Sequence, residues 1–125
     1  MKHEGEITVA VVDDDAGLCK ALGRLLRGWD MRAVTYPSAE AFLEDDHCPP
    51  LDCLILDIQL GGMSGFDLQE ELRRSGCALP VIFITAHDAA ETRDRALKTG
   101  AAYVRKEEPG ALLREAILGA VGRQG

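Results

Sequence analysis

Residues 7–15 read Ile-Thr-Val-Ala-Val-Val-Asp-Asp-Asp, an apolar run that stops abruptly on three consecutive acids. Further short apolar runs follow at Met31–Thr35, Leu51–Leu56, Pro80–Ile84 and Ala101–Val104. Three of the five runs are nearly continuous in Val, Ile, Leu and Phe, without polar alternation. Parallel strands covered on both faces require that pattern, so the sheet is expected to be central and buried.

Helical patterns separate the runs. Leu18, Ala21, Leu22, Leu25, Leu26 and Trp29 recur at spacings of three and four, which lines them up as one apolar stripe. Leu112, Leu113, Ala116, Ile117, Ala120 and Val121 form another, and Leu68 with Leu72 anchors a helix that begins near Ser64. Ser38 is a good N-cap for a short helix over 39–44, although Ala41 three residues on denies it a capping box. Asp88 is read as the N-cap of Ala89–Thr99, with Gly100 as the stop signal. That helix has a weak apolar face, Ala96 and Leu97, and should pack loosely. Strand then helix, repeated five times, predicts an α/β fold: a single doubly wound five-stranded parallel sheet with five alternating helices. In such a fold the loops after the strands' C-terminal ends build the site.

A chain of 125 residues, 46% hydrophobic and 28% charged, is the size of one domain. Lys and Arg total 14 against 21 Asp and Glu, a net charge of -7, which argues against direct nucleic-acid binding. No apolar segment of signal-peptide form follows the start, and no run of about 18 apolar residues occurs, so a cytoplasmic protein without a membrane span is expected. Cys19, Cys48, Cys53 and Cys77 form no CxxC pair and have no histidine at zinc spacing. Reduced thiols are expected, with Cys19 and Cys53 acting as small hydrophobes. His3, His47 and His87 read as surface residues, and Trp29 as packing.

The chemistry lies at the strand ends. Asp13, Asp14 and Asp15 follow the first strand, Asp57 closes the third, Thr85 the fourth, and Lys106 comes just after the fifth. Carboxylates gathered on one edge repel each other unless a divalent cation or a lysine neutralises them. Magnesium suits the set, as a hard ion held by one or two carboxylates and waters, with positions left for phosphate oxygens. An aspartate so placed can accept a phosphoryl group while the ion and Lys106 stabilise the transferring charge. The expected product is an acyl phosphate on Asp57.

From about Ile7 to Val121 the sequence resembles the receiver domain family of response regulators in two-component signalling, whose fold is flavodoxin-like. The likeness rests on Val11-Val12-Asp13-Asp14-Asp15, Asp57 with Met63-Ser64-Gly65, Thr85-Ala86, and Lys106. It implies one receiver domain over 1–125, a phosphorylation switch rather than a turnover enzyme. It also implies that Asp13, Asp14, Asp57 and the backbone carbonyl of Gln59 bind Mg2+. Thr85 would then move to bond the phosphoryl group, Ala86 would stay small to admit it, and Tyr103 would follow inward as the switch aromatic. Implied partners are a sensor histidine kinase or phosphotransfer protein, and a second copy through the face from the fourth to the fifth helix once phosphorylated. Many such regulators continue past the fifth helix into an output domain, and Ser38-Ala39-Glu40-Ala41-Phe42-Leu43 resembles receivers with transcriptional outputs.

Two positions depart from that pattern. The family usually has proline at Gly61, and a cis proline after its lysine where this chain has Glu107. A non-proline cis bond costs about 2.5–4 kcal/mol, so either the bond is trans and shifts the lysine, or strain is held at the site. Glu107 and Glu108 are expected to weaken the hold of Lys106 on a phosphoryl group, by added negative charge or by pairing with it. Two alternatives stand beside the active switch. One is a degenerate receiver that serves only as an interaction module. The other is a haloacid dehalogenase-like phosphatase, whose first motif Asp13-x-Asp15 fits, but which needs a further acidic pair beyond the lysine.

Overall fold

The computed structural model describes residues 7–46, 50–86, 89–107 and 110–122. Five strands alternate with five helices: β1 Thr8–Val12, α1 Ala16–Gly28, β2 Arg32–Tyr36, α2 Ala39–Leu43, β3 Cys53–Asp57, α3 Gly65–Arg74, β4 Val81–Thr85, α4 Ala90–Lys98, β5 Ala102–Arg105 and α5 Gly110–Gly122. The strands form one parallel sheet in the order β2-β1-β3-β4-β5. The predicted doubly wound architecture is therefore observed, with strand limits moved by one or two residues. Met31 precedes β2, which runs on to Tyr36, and Leu51 and Asp52 precede β3.

All residues of β1, β3 and β4 are buried, because layers of side chains cover both faces of the sheet. Val9, Val11, Cys53, Ile55, Ile82 and Ile84 point to the face that α1 and α5 cover through Leu22, Leu26, Leu113 and Ile117. Ala10, Val12, Leu54, Leu56, Val81 and Phe83 point to the other, against Phe66, Leu68 and Ala96. The unbroken apolar runs follow directly from this two-sided burial. Trp29, at the C-cap of α1, is partly buried against the first of these clusters, in the packing role expected of it.

Helix starts are set by side chains that satisfy the free N–H groups of a first turn. Ser38 accepts from Ala41 N at 3.0 Å. Ser64 and Asp67 form a reciprocal capping box, at 3.1 and 3.3 Å. The fourth helix departs from expectation. It starts at Ala90 with Ala89 in the cap position, where no side chain bonds the first turn, and the expected cap Asp88 lies outside the described residues. Its face is thinner than predicted too: Ala96 is buried, but Leu97 is 53% exposed. His3, His47, His87, Cys48 and Glu108 also lie outside the described residues.

Among the described residues, no helix is long and apolar enough to cross a membrane.

Candidate functional site

Parallel strands that all end on one side bring their last residues to a common edge. Asp13 follows β1, Asp57 ends β3 next to Ile84 of β4, and Thr85 ends β4 opposite Arg105 of β5. Asp13, Asp57 and Thr85 are all buried polar side chains in a chain whose other buried groups are almost entirely apolar. One carboxylate oxygen from each of Asp13, Asp14 and Asp57 lies within 4.8 Å of the others. Asp14 is exposed, so the cluster opens to solvent on that side.

Lys106 closes it. Its ammonium group lies 2.9 Å from Asp13 Oδ2 and donates to Asp57 Oδ2 at 3.1 Å. The backbone reaches this point because Lys106 N donates to Thr85 O at 2.9 Å, which extends the β4–β5 ladder by one residue. No cis peptide bond occurs among the described residues, so Lys106-Glu107 is trans. From this trans backbone Lys106 still reaches both acids, because its stem is long and flexible. Glu107 is not its partner: the Glu107 carboxylate lies 3.9 Å from Arg105.

The protonation balance follows from this packing. Burial holds the Asp57 carboxyl above its ordinary value, and the Asp13 charge adds to that, against the opposing bonds from Lys106 and from Gln59 N. Burial pulls the Lys106 ammonium down, but its bonds to Asp13 and Asp57 outweigh this and the net shift is upward. Asp13 Oδ2 is buried and makes no hydrogen bond of good angle, although Lys106 faces it as an ion pair. A buried carboxylate oxygen without such a bond, beside two further carboxylates, fits a hard divalent cation.

Supporting contacts fix the acids. Asp15 N donates to Asp13 Oδ1 at 2.8 Å, and Gln59 N donates to Asp57 Oδ1 at 3.0 Å. Cys19 Sγ donates to Asp13 O at 3.2 Å; burial, with the Asp13 charge, pushes this thiol up, so it stays protonated as a donor. Cys53 is buried and pushed to about 12, an inert core thiol as expected. Gly65 is required by space, since a Cβ there would stand 2.4 Å from the backbone oxygen of Asp57. Tyr103 is partly buried beside Phe83 in the neighbouring strand.

Asp15, to which the sequence pattern assigned no role in the receiver site, has work of its own. Asp15 Oδ1 accepts from Leu18 N at 3.1 Å and caps α1. An acid immediately before an apolar helical stripe was the available signal. This use also counts against the phosphatase reading, because the Asp15 carboxylate is engaged by the helix and is not one of the clustered acids.

The arrangement has known counterparts. A sequence profile described as the response regulator receiver domain matches residues 9–118. The response regulator protein TmoT of Ectopseudomonas mendocina is 37% identical over 99 residues, which cover 79% of this chain and 45% of that protein. Nodulation protein W of Bradyrhizobium diazoefficiens is 39% identical over 93 residues, 74% of this chain and 41% of that one. The chain thus spans less than half the length of these curated relatives. Among solved structures, a response regulator receiver protein from Burkholderia phymatum superposes with a TM-score of 0.82 at 42% identity, covering 94% of this chain and 96% of that one. A structure described as FixJ-N gives 0.85 at 29% identity over 94% and 95%. With the profile covering most of its length and the acids, hydroxyl and lysine gathered where five parallel strands end, the chain belongs to the response regulator receiver domains of two-component systems.

Proposed function

We propose that this receiver is an active switch that accepts a phosphoryl group from a phosphohistidine donor onto Asp57. The observation that carries the reading is Lys106 bridging Asp13 and Asp57, at 2.9 and 3.1 Å, within a pocket that also holds Asp14. Asp13, Asp14, Asp57 and the backbone carbonyl of Gln59 would hold Mg2+. When bound, the ion supplies positive charge that offsets the acids and stabilises the transferring group. A carboxylate oxygen of Asp57 attacks phosphorus, an O–P bond forms as the N–P bond breaks, and the imidazole leaves neutral once its free nitrogen is protonated. Lys106 would pair with a phosphoryl oxygen and so offset the charge of the transferring group. Thr85 then turns its hydroxyl to the phosphoryl group, and Tyr103 moves inward to report the change.

The partners on this reading are a sensor histidine kinase or phosphotransfer protein, and a second copy through the α4-to-α5 face after phosphorylation. The receiver consumes no free substrate beyond its own modification and slow hydrolysis. The test is intact mass after incubation with Mg2+ and acetyl phosphate. One added phosphoryl group, labile to hydroxylamine and absent from Asp57→Asn, is expected. No adduct on the natural chain would instead make it a degenerate interaction module.

A further inference from the structure

The β3–α3 loop runs past the mouth of the pocket. At its start Ile58 N donates to Ile84 O at 3.1 Å and Gln59 N to Asp57 Oδ1 at 3.0 Å. At its end Gly65 N donates to Ile58 O at 3.0 Å, and the Ser64–Asp67 box locks the helix start. Between lie Leu60, Gly61, Gly62 and Met63, where paired glycines give the backbone its widest freedom and make a fixed conformation entropically costly. A side chain 23 residues away reaches this stretch: Glu40, in the first turn of α2, accepts from Met63 N at 3.2 Å. Gly62 leaves the room for it, because a Cβ there would stand 2.8 Å from Glu40 Oε2. On its other side the loop borders the acids, with a Cβ at Gly61 placed 3.8 Å from Asp14 Oδ2.

We infer that Glu40 is a positioning residue: it pins the β3–α3 loop through the Met63 amide and thereby sets the cation site at Asp14 and Gln59. This rests on the proposed function for the identity of the site, and adds a member to it from α2. The base of the clamp is firm. Ser38 caps α2, Ala39 is buried, and Phe42 meets Tyr36 edge-on at 5.2 Å between ring centres. The pin supplies from a neighbouring helix the restraint that a glycine-rich loop lacks in its own backbone.

The test compares Glu40→Ala, Glu40→Gln and Gly62→Ala with the natural chain in two measurements: Mg2+ affinity by titration calorimetry, and exchange of the Met63 amide without metal. Gln keeps an acceptor, whereas Ala at 62 displaces the carboxylate without altering α2. Glu40→Ala and Gly62→Ala are expected to speed Met63 exchange and weaken Mg2+ binding roughly three- to tenfold, less than buried outer-shell partners give because this bond is exposed. Glu40→Gln should stay near the natural chain in both, and the double Ala variant should add little to either single one. Unchanged Met63 exchange and Mg2+ affinity in both Ala variants would overturn the inference. Glu40→Gln behaving like Glu40→Ala would also overturn it, since the effect would then be one of net charge. Phosphorylation of the natural chain, measured alongside, keeps the readings apart. Its absence refutes the switch, whereas a phosphorylated chain with indifferent Glu40 refutes only the clamp.

Discussion

Helices α1 and α4 each lead away from a strand end at the acidic pocket, yet they are built to different standards. The first has 13 residues, an aspartate cap bonded to its first turn, and Cys19, Leu22, Gly23 and Leu26 buried against the sheet. The second has 9 residues and no side-chain cap, and of its residues Ala96 is the buried one. A further hold on α4 is Arg95, whose guanidinium lies 4.2 Å from the centre of the Phe66 ring, itself 4.9 Å from Phe83 of β4. One side of the pocket is thus anchored by buried apolar area and the other by a surface stack. Elements held by few buried contacts open at lower free energy, so the motion of a switch would fall on the α4 side.

The sharpest way to break this contrast is to truncate a leucine on each helix. Leu26→Ala, at a fully buried site, should lower unfolding free energy by about 2–5 kcal/mol. Leu97→Ala, at a 53% exposed site, should stay within about 0.5 kcal/mol. Urea unfolding measures both, and equal losses would refute the contrast.

The charged floor shared by the two sides is the next test. Burial raises the Asp57 carboxyl, so the folded chain holds that proton more tightly than the unfolded chain does. The associated stability is present at low pH and is lost as pH rises from the ordinary value of 3.8 through the raised one. Asp57→Asn should therefore raise the thermal midpoint of the metal-free protein at neutral pH. The gain should shrink as pH falls through that window, which a series of melts between acid and neutral pH would reveal. Lys106 acts at the other end of the scale. Its raised value means that its contribution is complete below 10.5 and is lost as pH climbs through the folded value.

Smaller effects sharpen the contrast helix by helix. Asp15→Ala removes the cap of α1 and should cost about 1 kcal/mol in urea unfolding. Ala89→Ser offers α4 the cap it lacks, at a position already extended with φ -90 and ψ 138. Roughly 0.5–1 kcal/mol of added local protection is expected across α4, read by amide exchange. Arg95→Ala should cost about 0.5–1 kcal/mol and speed exchange in α4 while leaving α1 unchanged.

The chain disclosed the sheet readily because strands buried on both faces must be apolar at successive positions, and β1, β3 and β4 are. Asp13, Asp57 and Thr85 could be placed because each sits at the end of such a run, and Lys106 because it follows the shorter, partly buried fifth strand, so locating the strand located the residue. Side chains used over a distance were not legible. Nothing local to Ala39–Leu43 indicates that Glu40 bonds an amide 23 residues on, and nothing near Leu97 shows that it turns outward while Ala96 turns in. The loss of proline after Lys106 left two outcomes open, a trans bond with a shifted lysine or strain held at the site, because local backbone rules say nothing of how far a stem can reach.

Alternating apolar runs and stripes thus determined by themselves the parallel sheet, its covering helices and the edge on which the acids meet, since periodicity dictates which side of each element leaves water. Tertiary structure alone decided the pairing of Lys106 with Asp13 and Asp57 and the bond from Glu40 to the loop. Those outcomes depend on distances of a few ångströms between residues far apart in the chain, which only the packed sheet and its helices fix.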